Sequence, residues 1–258
     1  KNYQISQYDE PIAFEGSLVI ELEGAGVVVS AADPDVPGRT VARSILEPTT
    51  LTLTERRIAV IGANGSGKST LARLVNGLRL PTTGTVRTLG LDVALEGARV
   101  RSRVGFVFSD PDAQLVMPTA SEDVALSLRR RVPDAAERLD RAREVLAEFG
   151  LAKHVDAPVH SLSGGQKQLL ALAGVLATRP EILVCDEPTT LLDLRWRRVV
   201  DELLESLEAQ VLLVTHDLAA AERAERVLVV DEGRVVRDGG APESVAAYVE
   251  LMSRAVRP

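Results

Sequence analysis

The stretch RIAVIGANGSGKSTLARLV, residues 57–75, constrains this chain more than any other. It opens with RIAVIG, an apolar run suited to a buried parallel strand, and passes into a segment that reads as a helix over about 68–78. Between the two lies the pattern G-x-x-x-x-G-K-[ST], filled by Gly62, Gly67, Lys68 and Ser69. A strand that meets a helix through such a loop can turn its backbone N–H groups inward around phosphate oxygens, aided by the positive end of the helix. Lys68 adds a point charge between the phosphates, and the Ser69 hydroxyl can ligate Mg²⁺. The run Gly62, Ala63, Asn64, Gly65, Ser66, Gly67, Lys68, Ser69 and Thr70 therefore reads as the seat of a nucleotide phosphate chain. The fold class that follows is α/β, a P-loop NTPase core on a mostly parallel sheet.

A second strand, EILVCD at 181–186, delivers Asp186 to its end, where open parallel sheets place ligand chemistry. Asp186 is the candidate to hold Mg²⁺ with Ser69, and Glu187 the candidate to orient and deprotonate an attacking water. Cys185 is expected to point into the sheet and be inert. His216 follows a third buried strand, QVLLVT at 210–215, and can hydrogen-bond a γ-phosphate or align the water. His154 and His160 read as surface groups.

Organisation follows the same logic. TLTLT at 50–54 and RVLVVD at 226–231 read as strands, LVIEL at 18–22 begins strand-like alternation, and DEGR at 231–234 reads as a hairpin turn. SAADPDVPGRT at 30–40 reads as a loop, and residues 1–17 as a loose N-terminal arm. Over about 111–165 the period becomes helical, with a capping box at Thr119 and Glu122, a helix to Leu128, and a second helix over 134–149. The arginine run 129–131 reads as a solvated helix end, with a docking patch as the alternative. Further helices are expected after Gln166, near 195–208 and at 217–225. A net charge of −7 argues against a basic nucleic-acid-binding surface. One cysteine excludes a disulfide framework, and no apolar run approaches the roughly 20 residues needed to span a bilayer.

LSGGQ at 162–166 is a second phosphate seat: a helix starting there offers N–H groups, the Ser163 hydroxyl and the Gln166 side chain to an anion. It stands 95 residues from Lys68. In a two-fold dimer each chain's second seat can cover the other's first.

GANGSGKST, LSGGQ, ILVCDEP, TLLD at 190–193 and His216, in this order and spacing, resemble the ATPase subunit of ATP-binding cassette (ABC) transporters over about 18–245. The resemblance implies an ABC ATPase domain at 18–258, with an antiparallel N-terminal β-subdomain and an inserted helical subdomain. It implies ATP and Mg²⁺ as ligands. It also implies that Ser163, Gly164, Gly165 and Gln166 cap the γ-phosphate held by a partner cassette, identical or paralogous, and that the loop carrying Asp193 crosses the dimer seam. FVFSDPDAQLVMPTASEDVA at 106–125 resembles energy-coupling factor importers, and with PTTLLDLR at 188–195 the chain looks most like their biotin-uptake ATPase. Integral membrane coupling and substrate-binding subunits, and a place on the cytoplasmic membrane face, are implied with it. Cobalt, nickel or another vitamin as cargo, or a soluble partner as in iron–sulfur assembly, are the alternatives. The sequence departs from the family twice. The glutamine that contacts Mg²⁺ falls on Ser109, with Gln114 five residues on, and residues 23–46 hold no aromatic for adenine, leaving Val41 or Arg39.

Overall fold

The computed structural model describes residues 19–33, 36 and 38–255; the expected arm at 1–17 lies outside them. In chain order the strands are β1 (Ile20–Ala32), β2 (Thr40–Leu53), β3 (Arg57–Ile61), β4 (Thr83–Thr88), β5 (Leu91–Asp92), β6 (Val104–Val107), β7 (Ile182–Asp186), β8 (Gln210–Val214), β9 (Arg226–Asp231) and β10 (Arg234–Gly239). The helices are α1 (Lys68–Val75), α2 (Gly97–Arg103), α3 (Ala120–Leu128), α4 (Ala135–Glu148), α5 (Gly164–Leu176), α6 (Leu194–Ser206), α7 (Leu218–Glu222) and α8 (Ala241–Ala255). These elements form two units, one of residues up to Val104 together with those from Gln210 onward, the other Gly105–Ala209.

In the first unit, β1, β2, β4 and β5 make an antiparallel sheet in the order β2-β1-β4-β5. TLTLT behaves as its alternation demands, with Leu51 and Leu53 buried and Thr50 and Thr52 exposed. The expected loop at 30–40 is shorter than its composition suggests. β1 continues to Ala32 and pairs with Thr40, so polar residues here lie on strands that face solvent. The rest of this unit places β3 between β8 and β9, parallel to both, with β10 antiparallel on β9. Ala59, Ile61, Val227 and Val229 pack against Ala221, Ala241 and Val245 of α7 and α8. The strands read as near-continuous apolar runs because helices cover them.

In the second unit β6 lies beside β7, and helices dominate. The capping box is present: Thr119 N–H and Oγ1 both donate to Glu122 Oε2, at 3.2 and 2.7 Å. Asp134 caps α4 by accepting from Ala136 and Glu137 N–H. The inner face of α4 is Ala142, Val145 and Leu146, continued by Phe149, with Leu139 half-buried at its margin. The expected helical stretch 111–165 lies wholly within this unit. Arg129 and Arg130 end α3 in solvent, while Arg131 reaches the Arg179 carbonyl at 3.5 Å.

Candidate functional site

β3 ends at Ile61 and the phosphate loop begins at once. Lys68 is 5% exposed, and its ammonium donates to the carbonyls of Gly62 and Ala63 at 2.9 and 2.8 Å, closing the loop into a ring. Gly62 has no alternative: a Cβ there would lie 2.0 Å from the Val230 carbonyl oxygen. Gly67 stands at the N-cap of α1 with φ 107°, and a Cβ would lie 2.6 Å from the Ile45 oxygen. No side chain caps α1, and no acidic residue occupies its first turn. The N-terminus of this helix is thus arranged for an external anion. Ser66 Oγ is buried without a hydrogen-bond partner at the floor of the ring, while Asn64 and Gly65 at its rim are exposed. The loop fits a nucleotide phosphate chain on these grounds.

A brace outside the motif holds the ring. The turn between β9 and β10 carries two consecutive positive-φ residues, Glu232 (44°) and Gly233 (79°), the pattern of a type I′ hairpin turn. Gly233 N–H donates to the Ser66 carbonyl at 2.8 Å, and its carbonyl accepts from Glu47 N–H, also at 2.8 Å. The expected DEGR turn therefore also supports the phosphate loop.

His216 emerges beside that loop. Val60 of β3 pairs with Val214 of β8, so Gly62 and His216, each two residues further on, leave the same edge of neighbouring parallel strands. Thr215 is buried and donates its N–H to the Val60 carbonyl, and Asp217 caps α7, which leaves the intervening imidazole exposed.

In the second unit, β7 is buried along its length through Asp186, which is 3% exposed. Burial, with the Asp186 charge adding to it, pushes the Cys185 thiol far up, so it stays protonated and inert as expected. Glu187 adopts φ 53°, a conformation unusual for a residue with a side chain. Its carboxylate accepts from Thr190 Oγ1 at 3.1 Å. Strained backbone of this kind is found where a side chain must be aimed.

Ser109 follows a residue clamped at both ends. Phe108 N–H donates to Gln114 Oε1 at 3.2 Å, and the Phe108 carbonyl accepts from Gln168 Nε2 at 3.2 Å. Gln114 Nε2 reaches the Ala171 carbonyl at 3.4 Å, and Lys167 pairs with Asp112 at 2.6 Å. Nothing in the pattern of the sequence singled out Gln168.

LSGGQ opens α5 with Ser163 at the N-cap. Ser163 N–H donates to Gln166 Oε1 at 2.8 Å, and Gln166 N–H donates to Ser163 Oγ at 3.3 Å. Ser163 and Gly164 are exposed, and nothing lies within 4 Å of a Cβ built on Gly164. At Gly165 a Cβ would lie 3.3 Å from Trp196 Cδ1, so the indole of α6 closes on the backbone here. Asp193 gains a structural role, and the reading of His154 changes. Asp193 is the N-cap of α6, its Oδ1 accepting from Trp196 N–H at 3.0 Å, a role its place in TLLD did not announce. His154 is no free surface group; it is half-buried, with Nε2 3.0 Å from Gln166 Nε2, whereas His160 is exposed. At the far end of the β1–β2 hairpin Arg39 pairs with Asp33 at 3.4 Å and Val41 is half-buried.

Comparison with known proteins agrees with this arrangement. A family model described as ABC transporter matches residues 46–190. The chain is 45% identical to a biotin transport ATP-binding protein, BioM, of Rhizobium etli, over 90% of this chain and 98% of the relative. It is 40% identical to an energy-coupling factor transporter ATP-binding protein of Lacticaseibacillus paracasei, over 76% and 72% of the two chains. Among solved structures it superposes on a dimeric ATP-binding cassette in a post-hydrolysis state with ADP and Pi, with TM-score 0.74, 27% identity and coverage of 86% and 98%.

Proposed function

We propose, from the premise that the chain belongs to the ABC transporter family of ATP-binding proteins, that it is the motor subunit of an energy-coupling factor importer whose cargo is biotin. As a member of that family it is an ATPase. The observation that carries the proposal is the second phosphate seat. Ser163 and Gly164 stand exposed at the start of a 13-residue helix, which supports a reading in which the Ser163 hydroxyl and the first-turn N–H groups meet an anion from outside the chain. Leu191 and Leu194, 56% and 77% exposed, flank Asp193 in the loop that would meet a second cassette.

In this reading the ring closed by Lys68 holds the β- and γ-phosphates of ATP, and a second chain's Ser163 segment covers them. Mg²⁺ would be held by Ser69 and Asp186, hard-oxygen ligands of the kind it takes, with the Ser109 hydroxyl as a further donor. When bound, the ion would offset charge on the phosphate oxygens. Glu187 aligns a water, takes its proton as the oxygen attacks the γ-phosphorus, and the bond to the ADP oxygen breaks. His216 hydrogen-bonds the γ-phosphate. Each charge-assisted N–H to phosphate contributes about 1.5–3 kcal/mol. Several per site, less ordering costs, are enough to shift a membrane partner by a few kcal/mol. Among the described residues no helix is long and apolar enough to cross a membrane, so in this reading separate subunits form the transmembrane path.

The test is to tag the chain in its native cell, solubilise membranes gently, and identify what co-purifies, with bound biotin assayed by mass spectrometry. Multi-spanning subunits with retained biotin are expected. A retained metal ion or different vitamin would overturn the cargo, and exclusively soluble partners would overturn the importer reading.

A further inference from the structure

The start of α5 is held from outside its own motif. A backbone N–H can only donate, so the bond from Ser163 N–H to Gln166, at 2.8 Å, fixes the amide oxygen toward Ser163. The Gln166 amide nitrogen must then face the other way, and it lies 3.0 Å from His154 Nε2. An amide nitrogen has only donors, so His154 Nε2 is the acceptor and the ring proton sits on Nδ1. One imidazole lone pair thereby locks the amide that completes the capping box around Ser163.

We propose that His154 is a positioning residue for the phosphate seat at Ser163, holding the capping box so that the Ser163 hydroxyl and the N–H groups that follow it keep the geometry that a partner chain's triphosphate requires. The inference rests on the reading of LSGGQ as a seat acting on a second chain's nucleotide. His154 is suited to the task because its backbone is fixed independently of its ring. Its N–H donates to the Leu151 carbonyl at 2.8 Å, and its carbonyl accepts from Ala157 N–H at 3.0 Å. The following residues are tied to the start of α3 by backbone bonds, Ser121 N–H to the Val155 carbonyl and Val159 N–H to the Pro118 carbonyl, both at 2.9 Å. Loss of the imidazole acceptor therefore leaves the segment in place and releases only the Gln166 amide. That amide, no longer held at both ends, rotates away from Ser163 part of the time, the Ser163 N–H loses its acceptor, and the start of α5 loses one of the two bonds that fix it.

Two variants separate positioning from packing: His154→Leu removes the acceptor, and His154→Gln restores one through its amide oxygen. Steady-state ATPase is measured in the full chain. ATP-dependent dimerisation is measured by sedimentation in the same variants carrying Glu187→Gln. For His154→Leu we expect kcat and the dimer association constant to fall about 3- to 10-fold, the worth of one hydrogen bond. ATP affinity of the monomer should stay unchanged, thermal stability should fall by no more than the loss of one hydrogen bond, and His154→Gln should recover kcat and the association constant to within about twofold. Ser163→Arg, checked for intact monomer ATP binding, reports on the underlying reading. If it dimerises and turns over normally, the seat does not act on a second chain. If Ser163→Arg is inactive while His154→Leu matches the parent, or if Leu and Gln lose activity equally, the positioning role is overturned and the seat stands.

Discussion

The brace under the phosphate loop can be tested with a matched pair of glycines. Gly233 and Gly90 each occupy the second position of a two-residue turn whose first residue also has positive φ: Glu232 at 44° before Gly233 at 79°, and Leu89 at 55° before Gly90 at 73°. Alanine at either position meets the same backbone penalty, about 1–2 kcal/mol. Their surroundings differ. Nothing lies within 4 Å of a Cβ at Gly90, whereas at Gly233 a Cβ would lie 3.0 Å from the Ile45 carbonyl oxygen. To relieve that contact the turn must shift and weaken its 2.8 Å bond to the Ser66 carbonyl or the one from Glu47 N–H, about 1 kcal/mol each. Gly90→Ala should cost about 1–2 kcal/mol, a fall of about 2–8 °C in Tm for a chain of this size. Gly233→Ala should cost about 2–4 kcal/mol, with a Tm fall of about 4–16 °C. The decisive readout is ATP affinity, by calorimetry below both transitions. If Gly233 holds the loop, its variant weakens ATP about fivefold, the loss of one bond, while Gly90→Ala leaves affinity unchanged. Equal affinities in the two variants would refute the brace, whatever the melting temperatures.

Glu187→Gln should lower kcat about 10²- to 10⁴-fold and leave ATP affinity within a few-fold, measured by phosphate release and calorimetry. Near-normal turnover would remove Glu187 from its role. Asp193→Ala removes the cap that accepts from Trp196 N–H and should destabilise the chain by about 1 kcal/mol in urea melts; Asp193→Asn, an equal cap, should not. Activity lost in Asn at parental stability would assign the Asp193 charge a role beyond capping. At Glu55, burial pushes the carboxyl up, but the Glu55 and Thr54 N–H groups and the Arg226 guanidinium more than offset it, holding it below the usual carboxylate range. Its stabilisation is therefore complete above the unfolded value, about 4.3, and is lost as pH falls through the lower folded value. Urea melts between about pH 6 and 3 should show a steeper loss in the parent than in Glu55→Gln.

What could be read in advance was whatever is local. RIAVIG, EILVCD, QVLLVT and RVLVVD became β3, β7, β8 and β9 because runs of apolar, largely β-branched residues suit strands covered by helices. Thr119 with Glu122 is a complete capping signal within four residues, and the structure contains it. The segment from β4 to α2 carries little strand signal in the sequence, because TGTVRT has one apolar side chain, Val86, and buries only it and Thr88. α8 is likewise not a local matter, since its inward residues Ala241 and Val245 meet a core built by distant strands. At the candidate site the motif residues were legible as types, but their supports were not. His154 meets Gln166 through a fold-back of intervening chain, and Gly233 meets Ser66 across two strands. Neither pairing leaves a periodic trace.

Ser109, where the sequence resemblance leads to an expectation of glutamine, lies in a segment held by α5. Three consecutive residues of that helix reach three different segments: Gln166 to His154, Lys167 to Asp112, and Gln168 to the Phe108 carbonyl. Gln114, anchored on the Ala171 carbonyl of the same helix, takes the Phe108 N–H. Phe108 is thus held on both sides of its backbone, so the position of Ser109 is set by α5 rather than by the serine side chain. Separating them would break several hydrogen bonds of about 1 kcal/mol each and an ion pair, more than a small displacement of the helix can supply. Gln168 Oε1 is buried without a hydrogen-bond partner, a cost of about 1–3 kcal/mol, which the fold tolerates where the other end of the amide holds the chain. A displacement of α5 that carried Ser163 would therefore carry Ser109 with it.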